Sequence, residues 1–127
     1  MAHEPILVVD DSPSNLKLAR VVLQGEGYDV QTAVDAEEAL RLMQTFRPRV
    51  ILTDLHLPGT DGLTLTRQLK AQAATRDIVI LALTGCVMED DEARALAAGC
   101  DGYIIKPFDI AVLKRVIAGH LSRVGRS

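Results

Sequence analysis

Short runs of uninterrupted apolar residues alternate along the chain with stretches in which apolar positions recur every three or four residues. Ile6-Leu7-Val8-Val9, Val50-Ile51-Leu52 and Ile78-Val79-Ile80-Leu81-Ala82-Leu83 are continuous, as expected of strands covered on both faces by helices. The last of these reads as a central strand. Tyr28 to Ala33 and Gly102 to Ile105 are weaker runs, and the polar interruptions of the first make it a candidate edge strand.

The intervening stretches carry helix signals. Ser12-Pro13 sets an N-cap residue before a proline at the first helical position, and Leu16, Ala19, Val22 and Leu23 follow at helical spacing, with Gly25 and Gly27 available to end the helix. Asp35-Ala36-Glu37-Glu38 pairs a capping acid with a glutamate three residues on, and Ala39, Leu40, Leu42 and Met43 form its apolar stripe, with Pro48 just beyond the end. A third helix is predicted from Asp61-Gly62 with Leu63, Leu65, Thr66 and Leu69 inward. A fourth runs from Met88 to Ala98 and stops at Gly99, and Asp109 caps a fifth bearing Ile110, Leu113, Val116, Ile117 and Leu121.

The order is thus a strand and a helix, five times over, with loops that require parallel strands joined by crossover helices. That is a doubly wound α/β sandwich. A closed eight-stranded barrel needs about 250 residues, against the 127 present. The flavodoxin-like sheet order 2-1-3-4-5 is the expectation, and it locates a ligand site at the carboxyl ends of strands 1 and 3.

Composition narrows the function. At 127 residues one domain is expected, with a core over about residues 6–121 and no separate output domain. Hydrophobic residues at 48% and charged residues at 24% are those of a chain that folds alone. A formal net charge of −3 opposes direct binding to nucleic acid, and aromatics at 3% leave no stacking platform for bases. The two cysteines, Cys86 and Cys100, lack the spacing of a zinc site or a disulfide scaffold and suit a reducing cytoplasm. No apolar stretch approaches the roughly 18 residues of a membrane span, and the N-terminus does not read as a secretory signal.

Each inner strand ends in a polar residue: Asp10-Asp11 after strand 1, Asp54 after strand 3, Thr84 after strand 4 and Lys106 after strand 5. A lone aspartate at a strand end more often caps a helix or forms a turn, and Asp11 alone fits that description. Convergence of four strand ends does not. Three neighbouring carboxylates call for a cation, and an all-oxygen donor set favours a hard, partly hydrated Mg²⁺, with Mn²⁺ able to substitute. Lys106, before Pro107, is expected at the pocket rim as a point charge for an anion, and Thr84 offers it a small hydroxyl donor. A carboxylate beside such a cation can attack phosphorus, with metal and lysine neutralising the phosphoryl oxygens.

From Ile6 through Leu121 the chain resembles the receiver (CheY-like) domains of two-component response regulators. The resemblance rests on Val8-Val9-Asp10-Asp11, on Leu52-Thr53-Asp54 with Leu57-Pro58-Gly59-Thr60-Asp61-Gly62, on Ala82-Leu83-Thr84-Gly85, and on Gly102-Tyr103-Ile104-Ile105-Lys106-Pro107-Phe108. It implies a signalling phosphoacceptor rather than an enzyme acting on an outside substrate, with Asp54 taking a phosphoryl group from a phosphohistidine. Asp10, Asp11, Asp54 and the backbone carbonyl of His56 would hold Mg²⁺, Thr84 and Lys106 would contact the phosphoryl oxygens, and a cis Lys106-Pro107 bond would aim the lysine. Tyr103 matches the family's switch aromatic, so the face of helix 4, strand 5 and helix 5 is the expected output surface. The implied partners are a sensor histidine kinase or histidine phosphotransfer protein and a downstream protein target, with no nucleic acid or membrane, the chain being cytoplasmic and a monomer or a weak phosphorylation-dependent dimer.

Three residues bordering the site modulate this picture. Gly85 stands where the family commonly has alanine and is expected to loosen the loop after strand 4. His56 is less common after the acceptor and is expected to affect aspartyl-phosphate lifetime by positioning or excluding water. Cys86 reads as a small loop residue. Two other classes compete: a phosphatase of the haloacid-dehalogenase type and a receiver-like module that works without phosphorylation. The first places a second aspartate two residues after its nucleophile, whereas Asp10 is followed by Asp11-Ser12 and Asp54 by Leu55-His56. The second is disfavoured because all five functional positions are filled. A dinucleotide site would need a glycine-rich turn where this chain has Asp-Asp-Ser-Pro.

Overall fold

The computed structural model describes residues 4–55, 62–84, 89–105 and 110–124. Strands β1 (Pro5–Val9), β2 (Asp29–Ala33), β3 (Val50–Asp54), β4 (Val79–Thr84) and β5 (Gly102–Ile105) are each followed by a helix: α1 (Pro13–Gly25), α2 (Ala36–Leu42), α3 (Gly62–Lys70), α4 (Glu89–Ala98) and α5 (Ile110–Val124). Every strand pair is parallel and the order is β2-β1-β3-β4-β5, the flavodoxin-like sandwich expected from the pattern. β3 rather than β4 occupies the middle, although β4 is also flanked on both sides, and β2 lies at an edge.

The continuous apolar runs are explained by two cores, one on each face. Successive strand residues point to opposite faces. Leu7, Val9, Ile51, Ile80 and Ala82 pack with Ala36, Ala39, Leu65, Leu69 and Ala95 from α2, α3 and α4. Ile6, Val8, Leu52, Leu81, Leu83 and Ile104 pack with Leu16, Ala19, Leu23, Leu113 and Ile117 from α1 and α5. At roughly 1.5–3 kcal/mol for each large side chain fully removed from water, these two layers are the main stabilising contribution.

Element ends depart from the pattern where hydrogen bonds outrank hydropathy. Tyr28 was expected in β2, but its N–H donates to the Leu23 carbonyl and closes α1, with Gly27 at φ 91° making the turn. Ile78 was expected in β4, but its N–H donates to Thr75 O in a turn. β3 continues two residues past its apolar run because Thr53 and Asp54 still pair with Ala82 and Leu83. Leu40, placed in the α2 stripe by its apolarity, is 38% exposed. It follows the buried Ala39 by one residue, about 100° around the helix, and burial there is carried by Ala36, Ala39 and Met43 with Leu42 partly buried. Asp35 does cap α2, accepting from Glu38 N at 2.8 Å, while the Glu38 carboxylate reaches back to Val34 N.

At the end of the sheet where β4 and β5 begin, Lys70 ties three segments together. Its ammonium donates to the carbonyls of Arg76 and Ile78 at 3.1 and 2.8 Å and to Asp101 Oδ2 at 2.9 Å, and the same carboxylate oxygen accepts from Ile80 N. Gly99, at φ 108°, lets the lysine stem lie against the chain. Lys70→Ala is expected to lower urea-denaturation stability by about 2 kcal/mol, since it removes the donor shared by two carbonyls and a carboxylate. Lys114→Ala, which removes only the exposed 3.5 Å pair with Glu26, is expected to cost under about 0.5 kcal/mol.

Candidate functional site

β1 and β3 deliver their acids side by side. Val9 is level with Thr53 in the parallel register, so Asp10, the next residue, emerges beside Asp54. Asp10 N–H donates to Ala33 O, which continues the ladder to β2 and fixes that backbone. Asp11 then turns outward at the start of α1. One carboxylate oxygen from each of Asp10, Asp11 and Asp54 lies within 4.8 Å of the others. Asp10 is wholly buried and Asp54 is 7% exposed, while Asp11 is open to solvent.

Two buried carboxylates beside a third are costly to assemble unless positive charge or donors meet them. Some donors are visible. Asp10 Oδ1 accepts from Ser12 N at 2.9 Å and Oδ2 from the Asn15 amide at 3.3 Å. The all-oxygen set, with one acid left accessible, fits a hard divalent cation that keeps part of its water shell. Asp10, Asp11 and Asp54 are therefore the residues able to hold such an ion.

The phosphoacceptor candidate is also held through its backbone. The Thr53 hydroxyl donates to Asp54 O at 3.1 Å, Leu55 N–H donates to Leu83 O, and Gly62 N–H donates to Leu55 O at 3.1 Å. Gly62, the first residue of α3, packs so closely that a Cβ there would overlap the Asp54 carbonyl oxygen. Thr66 donates to Gly62 O at 2.8 Å, so its 3.7 Å contact with Cys100 has the thiol as donor. Burial is the chief cause that pushes the Cys100 thiol up from its ordinary range, with the neighbouring Asp101 adding to it, so this cysteine is a packed, unreactive group.

Sequence reading found the acids but missed Asn15, Thr53 and Gly62 as their supports. Asn15 had a visible signal, lying three residues after the capping Ser12, and Gly62 directly follows an acid at a helix start. Of the other predicted residues, Thr84 ends β4 opposite Ile105 of β5, which brings those two strand ends to the same edge as the acids. Tyr103 lies on β5 beside Ala82, 36% exposed, while its neighbour Ile104 turns into the α1/α5 core. His56, Gly85, Cys86, Lys106 with the Lys106-Pro107 bond, and Asp109 lie outside the described residues.

A parallel sheet of order 2-1-3-4-5 with an acidic cluster where β1 and β3 end defines a CheY-like receiver architecture. The chain belongs to the response regulator receiver domain family, whose sequence model matches residues 6–118, and so to the signalling switch domains of two-component systems. It is 34% identical over 116 residues to the polar-differentiation response regulator DivK of Brucella anthropi, covering 91% of this chain and 94% of DivK. It is 36% identical over 121 residues to the DNA-binding dual master transcriptional regulator RpaA of Synechocystis sp., covering 95% of this chain and 50% of RpaA. The chain thus spans about half the length of the one relative and nearly all of the other. Among solved structures, the receiver domain of the sensor histidine kinase PA1611 from Pseudomonas aeruginosa PAO1 superposes with a TM-score of 0.82 at 36% identity, covering 91% of this chain and 94% of that one, and holds a magnesium ion coordinated in its active site cleft. Among the described residues, no helix is long and apolar enough to cross a membrane.

Proposed function

We propose that the chain is a phosphorylation-dependent switch in a two-component phosphorelay, with Asp54 as phosphoacceptor. The observation that carries this reading is the buried Asp54 carboxylate set among two further acids at the β1 and β3 ends of a receiver fold. An Asp54 oxygen attacks the phosphorus of a phosphohistidine in line. A P–O bond forms, the P–N bond breaks, and the leaving imidazole takes up a proton. Asp10, Asp11, Asp54 and the His56 carbonyl would hold Mg²⁺, which when bound would supply charge neutralisation at the transferring phosphoryl oxygens. Lys106 and Thr84 contact those oxygens, and His56 governs the access of water during later hydrolysis.

The phosphoryl oxygens, which carry roughly −1.5 to −2 of charge where the carboxylate carried about −1, draw Thr84 toward the acceptor, and Tyr103 follows into the space left. The exposure of Tyr103 on β5, of Leu96 on α4 and of Val112 on α5 supports the α4-β5-α5 face as the surface that a downstream protein reads. The donor is a sensor histidine kinase or a histidine phosphotransfer protein in the cytoplasm, and phosphorylation drives at most a weak dimer.

Incubation with acetyl phosphate and MgCl₂ is expected to give a labile, phosphoryl-sized gain in intact mass that EDTA abolishes. No gain contradicts the reading and favours a module that works without phosphorylation, and an equal gain in EDTA contradicts the role given to the cation.

A further inference from the structure

Asp10 is the most enclosed of the three acids, and its orientation decides whether an oxygen faces the others. Its carboxylate is gripped at both ends, by Ser12 N–H on Oδ1 and by the Asn15 side-chain amide on Oδ2. The first bond belongs to the turn leading into α1. The second comes from half-buried Asn15, whose backbone N–H donates to the capping Ser12 hydroxyl at 3.4 Å, so the residue is held in turn by the cap of the helix that carries it.

Resting on the cation-assisted reading above, we propose that Asn15 is a positioning residue for the cation pocket, its amide fixing the plane of the Asp10 carboxylate so that the remaining lone pairs face Asp11 and Asp54. Because these two bonds fall on different oxygens, rotation of the carboxylate about its own axis breaks both. A carboxylate oxygen can accept from more than one partner, so a bond on it does not exclude an ion. The choice of a neutral amide has a reason. A lysine or arginine at this position would orient Asp10 equally well but would neutralise it, and would compete with the very ion it serves. An amide orients without discharging, in the way that outer partners of metal ligands commonly do.

Asparagine is a poorer helix former than alanine or leucine, so its replacement inside the first turn of α1 does not by itself destabilise the helix. Loss of the amide does take a donor from the buried Asp10 carboxylate and lowers stability, so the discriminating quantity is the Mg²⁺ Kd of the folded chain, which a purely structural Asn15 would leave unchanged.

The test is calorimetric titration of the whole chain with MgCl₂ alone, for wild type, Asn15→Ala and Asn15→Leu, alongside melting temperatures in EDTA. Both variants are expected to raise the Mg²⁺ Kd of the folded chain about 10- to 100-fold, with melting temperatures in EDTA below wild type but well above the temperature of the titration. If leucine proves too bulky to fold, alanine carries the measurement. Wild-type Kd values in the folded variants overturn the role of Asn15 and leave the cation site standing. A wild-type chain that takes up no Mg²⁺ overturns both.

Discussion

Asp54→Asn is expected to abolish the labile mass gain from acetyl phosphate, a loss of at least ~10²-fold, while the protein stays folded. The amide is nearly the shape of the carboxylate but has no anionic oxygen with which to attack phosphorus. The fold is expected to survive because main-chain bonds hold residue 54 in place: the Thr53 hydroxyl donates to Asp54 O, and β3 pairs through Asp54 with Leu83. The substitution also removes one of three negative charges whose oxygens lie within 4.8 Å, relieving repulsion on the order of 1 kcal/mol. The melting temperature in EDTA should therefore be equal or higher. Asp11→Asn provides the contrast. It keeps the nucleophile and removes an exposed acid, so modification should slow and need more Mg²⁺ but not vanish. A labile gain in Asp54→Asn equal to wild type would move the acceptor role to another acid and defeat the assignment.

How much of this was legible in the sequence depends on the range over which each feature is determined. The sheet was readable because strands buried on both faces, such as Ile6 to Val9, must be apolar at every position, and because Ser12, Asp35, Gly27 and Gly99 mark helix ends by local chemistry. The acids were readable because fold order alone sends the ends of β1 and β3 to one place. Features that depend on partners far along the chain were not. Leu40 is as apolar as Leu42, and only the direction from which the sheet approaches α2 decides that Leu40 remains exposed. Lys70 carries no signal that it will serve Ile78 and Asp101. Thr53 and Asp54 look like the start of a loop, since their strand pairing belongs to β4 rather than to their own hydropathy.

Gly62 is the sharpest case of such a long-range requirement, and Gly62→Ala is expected to cost about 3 kcal/mol or more in stability. The reason is space rather than backbone conformation, since the described glycines with positive φ are Gly27 and Gly99. A Cβ at 62 would overlap the Asp54 carbonyl oxygen and crowd Asp54 C and Leu55 Cα, each at 3.0 Å. All three are backbone atoms, so no rotamer change relieves the contact. Either the first turn of α3 lifts, which strains the Gly62–Leu55 bond and the Thr66 hydroxyl bond to Gly62 O, or the end of β3 shifts and takes the acceptor with it. Both routes change the site, so at temperatures where the variant is folded its acetyl phosphate modification should be slower than wild type. Gly119→Ala is the matched control. A Cβ there meets nothing within 4 Å, and in the interior of α5 alanine should stabilise by about 0.5–1 kcal/mol. Thermal melts that rank Gly119→Ala above wild type and Gly62→Ala far below it would establish that the acceptor strand and α3 are packed main chain to main chain. Equal melts for Gly62→Ala and wild type would mean that the Asp54 carbonyl is not confined by α3.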